Sequence, residues 1–492
     1  MKRFLFSLLV LSLVLLPGKW YLRSDDDFGF GGDTGSDEGF GFGGGASSAP
    51  SPVLSGVKIG GEVSAELLGF TDDFETADKI KQGQLGDVFS GILNFSASGS
   101  AADAVINLNL VPSASPLTID EAYVRAYFGP VNIEGGIRKL TWGRADSFGP
   151  LDVVNPLDYS DLTEIFDPVH VKIGRPLVHV SWGIGNFSKL EGVFVPGFQG
   201  HRFAMEGRWA PSQITGLVPS LAAGLKATLS QNPLITPSQL AGMSGSLDAW
   251  QQGVDPEDYY QTDTSSLQYA QAGLRFTTTI GSSDFGVQYY YGRLPRPAMD
   301  IRLDRYFASY DPEDILSIGY NDYHQIGIDF ARVIAGFNVR AEAAANITED
   351  LDGDRGDIYN PSVAWSLGFD RDIGGVIVNL QVTESILLFQ DQIGKDPKII
   401  DTEDGKDVTA TRLTLILSKK LFRDKLELKA VGLWDIEDEA CLIMPTIAWT
   451  NNDVSVELSG GIFGGIFGFS DDGELGQYRD NHFVKAVLTY SF

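Results

Sequence analysis

The sequence predicts an all-β fold: a transmembrane antiparallel β-barrel of about eighteen strands, or sixteen if some segments merge, with long outer loops and short periplasmic turns. Three observations carry this expectation. Apolar and polar residues alternate along many separate segments, each close to the roughly nine to eleven residues that a tilted strand needs to cross a bilayer. Connections are short after even-numbered segments and mostly long after odd-numbered ones. Beyond the N-terminus no stretch approaches the roughly eighteen consecutive apolar residues of a spanning helix. The mean hydropathy of −0.02 suits a wall that is apolar on one face only.

Taken in order, the chain opens with Lys2 and Arg3 before an apolar run from Phe4 to Leu16. That pattern predicts a cleaved secretory signal peptide over residues 1–18, with the cleavage point set only loosely because no small-residue site follows. Residues 19–54 read as a flexible acidic, Phe/Gly-rich linker, with Asp25–Gly32 echoed by Asp37–Gly44. Such composition cannot bury a core. Residues 55–492 are expected to form the barrel. Val57, Ile59 and Val63 alternate with Lys58 and Glu62; Leu93 and Phe95 alternate with Asn94 and Ser96; Ala122, Val124 and Ala126 alternate with Glu121, Tyr123 and Arg125. The pattern runs on to the final stretch, where Val484, Ala486, Leu488, Tyr490 and Phe492 share one face.

Net charge is −28, and Cys441 is the only cysteine. The charge argues against nucleic acid as a partner, and one cysteine cannot form an intramolecular disulfide. Side chains expected to face the lumen balance in sign. Lys58, Arg125, Arg138, Arg275, Arg340, Arg412, Lys425, Lys429 and Lys485 stand against Glu62, Glu66, Glu121, Glu134, Glu191, Asp329, Glu342, Glu427 and Glu457. Opposite charges on neighbouring strands are expected to pair and stiffen the wall. The acidity therefore falls on the linker and outer loops.

The terminal stretch resembles the closing strand of bacterial outer-membrane barrels, in which a final Phe with aromatic and apolar residues two and four places earlier is the assembly signal. That resemblance implies the barrel assembly machinery as a partner, through Tyr490 and Phe492, and outer-membrane lipid as the solvent. The most specific stretch is Ile119 to Leu162. It contains Asp120-Glu121-Ala122-Tyr123, then Trp142-Gly143-Arg144-Ala145-Asp146, then Leu151-Asp152-Val153-Val154-Asn155-Pro156. This resembles a Gram-negative outer-membrane porin-like family of unassigned function, with its DEAY strand, W-G-x-x-D turn and L-D-x-x-N-P loop. The resemblance implies a diffusion or uptake channel in the cell outer membrane and leaves the solute open.

The candidate pore-lining and constriction residues are Glu121, Tyr123, Arg125, Arg138, Arg144, Asp146, Asp152, Asn155, Asp158 and Arg175. A Gly-, Pro- and Asp-rich connection this long is more than a hairpin requires. Folded inward, its charges would line the narrowest point; alternatively they brace the loop against the wall. The longest connection, residues 197–266, carries few charges between Pro211 and Gln251. Leu221, Leu225 and Leu229, and Leu240, Met243, Leu247 and Trp250, fit helical faces. Thr236-Pro237-Ser238-Gln239 reads as a capped helix start. So apolar a loop must pack in the barrel mouth or on another apolar surface, as a lid for amphipathic solutes or as a packing element.

Asp350, Asp352, Asp354 and Asp357 resemble a calcium loop in outline but lack its order and distal Glu, so they are weak metal candidates. His170, His179, His201, His324 and His482 are scattered, with no metal-ligand spacing. No catalytic motif and no cofactor signature occurs. The sequence thus points to a passive channel for small, possibly amphipathic solutes rather than an enzyme; the alternative is a surface-exposed structural barrel or adhesin acting through its outer loops.

Overall fold

The computed structural model describes residues 56–71, 88–111, 117–253, 259, 264–395, 399–403, 408–464 and 473–492. The expected signal peptide and linker lie outside the described residues. Eighteen strands form one sheet. They are β1 (Lys58–Phe70), β2 (Phe89–Ser98), β3 (Ala102–Leu110), β4 (Thr118–Phe128), β5 (Val131–Arg138) and β6 (Arg175–Ile184). Next come β7 (Ser188–Val195), β8 (Gln271–Ile280), β9 (Ser283–Arg293), β10 (Asp322–Ile334), β11 (Phe337–Thr348) and β12 (Ser362–Asp372). The circuit ends with β13 (Ile377–Leu387), β14 (Thr409–Leu421), β15 (Leu426–Asp435), β16 (Ala440–Asn451), β17 (Val454–Phe463) and β18 (Phe483–Ser491).

Each strand pairs antiparallel with its sequence neighbour, and β1 closes on β18 from Glu62 opposite Ser491 to Phe70 opposite Phe483. Phe492 extends that seam: its N–H donates to Gly61 O at 2.9 Å, and Gly61 N–H donates to Phe492 O at 3.0 Å. Closure removes every sheet edge, which a lipid-exposed sheet requires.

The two faces separate as the alternation predicts. Leu274, Ile326, Leu415, Val456 and Leu488 are exposed on the outer face, where water would leave a continuous apolar band uncovered. Inward side chains are polar, and many are deeply buried: Gln288, Gln325 and Gln381 among them. Ion pairs hold the inner wall, between neighbouring strands (Arg125 with Glu134), within one strand (Arg138 with Glu134) and across an intervening strand (Arg275 with Asp329). Arg125 Nε and Arg138 Nε each lie 2.6 Å from Glu134, and Arg275 lies 2.6 Å from Asp329.

Turns after even-numbered strands are tight. Between β10 and β11 only Ala335 and Gly336 intervene, with φ of 53° and 81°, the mirror-image turn geometry that suits the twist of a two-residue hairpin. Connections at the other end are long, except the one after Asp435, where β16 begins at Ala440.

The outer loops build a second core. Helix α1 (Leu217–Gln231) and helix α2 (Pro237–Gly253) bury Leu221, Leu225, Leu229, Leu247 and Trp250. The capped start of α2 forms as the sequence predicts: Thr236 N–H donates to Gln239 Oε1 at 3.0 Å. The apolar partner is the next outer connection, through Ile301, Tyr306, Ile315, Leu316 and Ile318. Its hairpin, Ala298–Arg302 with Leu316–Gly319, gains Ile399–Ile400 as a third strand.

Candidate functional site: a loop across the lumen

The connection from β5 to β6, residues 139–174, folds into the barrel and touches walls far apart around the circuit. Gly143 starts the crossing. Its φ is +94°, and a Cβ there would meet the Glu342 carboxylate, so only glycine lets the backbone approach that side chain. The Glu342 carboxylate accepts from the N–H groups of Arg144, Ala145 (2.8 Å) and Leu151 (3.4 Å). Gln381 Oε1 accepts from Asp146 N–H at 3.0 Å, and its amide donates to Ser147 O at 3.0 Å. Gln288 and Gln325 donate to Leu151 O and Pro150 O at 2.9 and 3.0 Å. The polar inner wall from β9 to β13 thus supplies partners to loop backbone that would otherwise be desolvated and unpaired.

Past Leu157 the loop reaches the opposite side. Leu162 and Ile165 are buried with Leu68, Phe70, Leu433, Leu442, Phe463 and Phe483. The inner wall around the seam is therefore apolar at this level, and Leu162 and Ile165 cover it, with Phe148, Tyr159 and Phe166 of the same loop packed against the cluster. Lys485 on β18 pairs with Glu66, at 3.2 Å, and with Glu164 of the loop.

The candidate residues fall into three groups. Glu121, Tyr123, Arg125 and Arg138 belong to the wall beneath the loop. Glu121 accepts from Asn107 at 3.3 Å and from Lys139 N–H at 2.8 Å, and the Arg138 guanidinium stands 4.2 Å over the Tyr123 ring. Arg144, Asp146, Asp152 and Asp158 lie on the loop, each in an ion pair. Arg144 Nε lies 2.6 Å from Asp329. Asp146 pairs with Arg340 and accepts from Asn379 at 2.8 Å. Asp152 lies 2.5 Å from Lys172, and Asp158 lies 2.6 Å from Arg202. Burial pushes the Asp146 carboxyl above its ordinary value, with Arg340 the main opposing influence. Asn155 and Arg175 form the third group and are each 4% exposed. Asn155 accepts from Leu140 N–H at 2.7 Å and donates to Arg138 O and Ile173 O at 3.0 and 2.8 Å. Arg175 donates to Val154 O and Gly197 O at 3.1 and 2.8 Å. These two tie together the ends of the loops rather than face an opening.

The acidic candidates at 350–357 do not converge. Asp350 is buried and accepts from Gly353 N–H and Arg355 N–H at 3.0 and 2.8 Å, so it shapes its own turn. Asp352 and Asp354 are exposed, and Asp357 lies 3.0 Å from Arg355. Among the described residues, a three-ligand grouping forms elsewhere, at Glu164, Asp167 and His170, whose ligand atoms all lie within 4.8 Å of one another. Its signal in the sequence is the spacing E-x-x-D-x-x-H, which comparing histidines only with one another does not reveal.

No family model and no curated protein matches the chain. Among solved structures it is similar to Pseudomonas aeruginosa OccK8 (OprE), with 9% identity, 90% of this chain and 99% of that one covered, and a TM-score of 0.46. It is similar also to Pseudomonas aeruginosa OccK3 (OpdO), with 8% identity over 89% and 95% of the two chains and a TM-score of 0.45. Salmonella typhi OmpF, in complex with daunomycin, shares 8% identity over 89% and 97%, with a TM-score of 0.37. All three are distant likenesses, and the assignment of a closed eighteen-stranded barrel rests on the strand pairings themselves.

Proposed function

We propose that this chain is an outer-membrane channel of a Gram-negative bacterium for passive passage of small solutes, with its bore limited by the loop at 139–174. The observation that carries the reading is the unequal covering of the inner wall. From β9 to β13 the inward side chains lie under the loop, whereas on β2 the inward Ser90 and Asn94 are exposed. A passage beside the loop along β1–β3 would be lined by hydroxyl and amide groups, among them the Ser64–Thr489 hydroxyl pair at 2.9 Å, together with charges of both signs on the same face, Lys58, Glu62, Glu66 and Asp103. Such a mixed lining suits small polar solutes and tolerates amphipathic ones. Lipid would contact the exposed apolar band, and Tyr490 and Phe492 at the seam are the groups offered to the assembly machinery. Planar-bilayer recording of the purified protein tests this: discrete ohmic steps are expected, together with swelling of liposomes in uncharged sugars. Absence of both would overturn the channel.

The outer loops favour a second reading on one point. The α1–α2 pair and its neighbouring hairpin share an apolar core, as a surface that binds through its shape requires. Deleting residues 212–253 separates the two. A channel shows conductance steps before and after the deletion, whereas a binding barrel shows no steps and loses attachment to its target.

A further inference from the structure

The grouping on the far arm of the loop has a composition that the channel reading does not use. Asp161 caps a 3-10 turn at Leu162–Glu164, accepting from Thr163 N–H at 2.8 Å. A short helical turn, Pro168–Val171, follows. The two turns bring Glu164, Asp167 and His170 to one side of the segment. We propose that these three side chains form a binding site for one divalent metal ion of the borderline class, of which Zn2+ and Co2+ are representative.

The geometry supports an ion. Two ligand atoms bound at about 2.1 Å in a tetrahedral arrangement stand roughly 3.4 Å apart. Asp167 Oδ2 and His170 Nδ1 are 2.9 Å apart, so an ion can replace the proton between them once these two partly exposed side chains part by about half an ångström. Glu164 supplies the third ligand. Its Oε1 pairs with Lys485, and the same carboxylate carries a second oxygen. The mixed nitrogen and oxygen set disfavours Ca2+, which takes six to eight oxygens, and suits metals that accept imidazole. Asp167 and His170 side chains are 40% and 48% exposed, leaving room for water at the remaining positions.

The surrounding charge supports it as well. Glu66 and Glu457 lie within electrostatic reach of Glu164, and Asp161 acts on both Glu66 and Lys485. Lys485 and Lys429 act on these wall carboxylates and Lys139 on His170, so anionic groups still outnumber the lysines. The alternative arrangement is the Asp167–His170 ion pair alone, at 2.9 Å. Metal and proton compete for the same ring nitrogen, so binding displaces any proton held there.

The experiment uses untagged, full-length protein in detergent, stripped with chelator. Co2+ absorption and Zn2+ calorimetry at pH 7.5 are expected to show one site per chain, with proton release on binding. His170→Gln and Asp167→Asn should abolish it; both positions are partly exposed, and retained heat-modifiability checks the fold. His324→Gln, on the outer face, should bind as wild type. Wild-type protein that binds no metal, or a His170→Gln variant that binds equally well, overturns the site. Bilayer recording adds a separable readout, because the consequence for flow rests on the channel reading: Zn2+ should lower conductance reversibly in wild type only. Binding without a change in conductance supports the site and counts against a passage beside it.

Discussion

The Glu342 carboxylate is the side chain on which the inward course of the loop most depends. Glu342→Ala removes the acceptor for three backbone N–H groups. Those of Arg144 and Ala145 are well placed, and that of Leu151, at 3.4 Å, is marginal. A hydrogen bond to a charged group contributes about 1.5–3 kcal/mol, so two give about 3–6 kcal/mol. The nearby Asp329 carboxylate repels Glu342, and its relief favours the lower end, about 3 kcal/mol. At about 1.4 kcal/mol per tenfold, the released state of segment 142–152 should become roughly a hundredfold more populated. The ladder of β11 is unaffected, so the barrel should stay folded and heat-modifiable. Hydrogen exchange followed by mass spectrometry on peptides spanning 142–152 should show about a hundredfold loss of protection at Arg144 and Ala145. Glu342→Gln, which keeps one acceptor oxygen, should fall between. Unchanged protection in the alanine variant would refute the reasoning, because the loop would then be held by its remaining contacts alone.

Replacing Asp152 and Asp158 together by Asn strips the partners from Lys172 and Arg202 and should shift reversal potentials across a salt gradient toward anions; no shift would place both pairs away from the flow. His201 predicts an acid-sensitive outer loop. Leu157 N–H donates to its Nδ1 at 2.8 Å, so the ring must be neutral, and desolvation with Arg296 nearby pushes its pKa down to about 4. A folded pKa below the unfolded value of about 6.5 means the unfolded chain binds more protons between the two. The contribution, up to about 3 kcal/mol, is complete above about pH 6.5 and falls away as pH drops toward 4. Protease resistance of residues 196–210 should follow that curve in wild type and lose it in His201→Gln. Deleting Tyr490–Phe492 removes the paired bonds to Gly61 and should leave the protein unassembled; a normal heat-modifiable barrel after that deletion would show the seam can form without them.

The wall was legible because its information is local. A period of two repeats within each strand, so the alternation around Leu415 or Leu488 predicts which side faces outward without knowledge of a neighbour. The helix start at Thr236–Gln239 was legible for the same reason. The site was less so. That a long loop folds inward could be expected from its length and glycines, but its partners could not: Asp146 meets Arg340, and Asp158 meets Arg202, across separations that carry no periodicity. Length and composition also could not tell a carboxylate that lines an opening from one that is paired, and Asn155 and Arg175 proved to be ties at the base of the loops. The hairpin at Ala298–Gly319 escaped notice because strands of four and five residues leave too short an alternation to read.

Lys485 has a consequence for the order of events in assembly. It is the cation shared by Glu66 on the first strand and Glu164 on the loop, and it sits on the last strand of the chain. Until β18 arrives, the carboxylates gathered at the end of the loop face one another without it, and repulsion keeps that arm from settling against β1. Sealing the cylinder and seating its crossbar are therefore one electrostatic event. A half-built barrel carries its loop unlatched at one end, and the strand that closes the sheet finishes the interior as well as the wall.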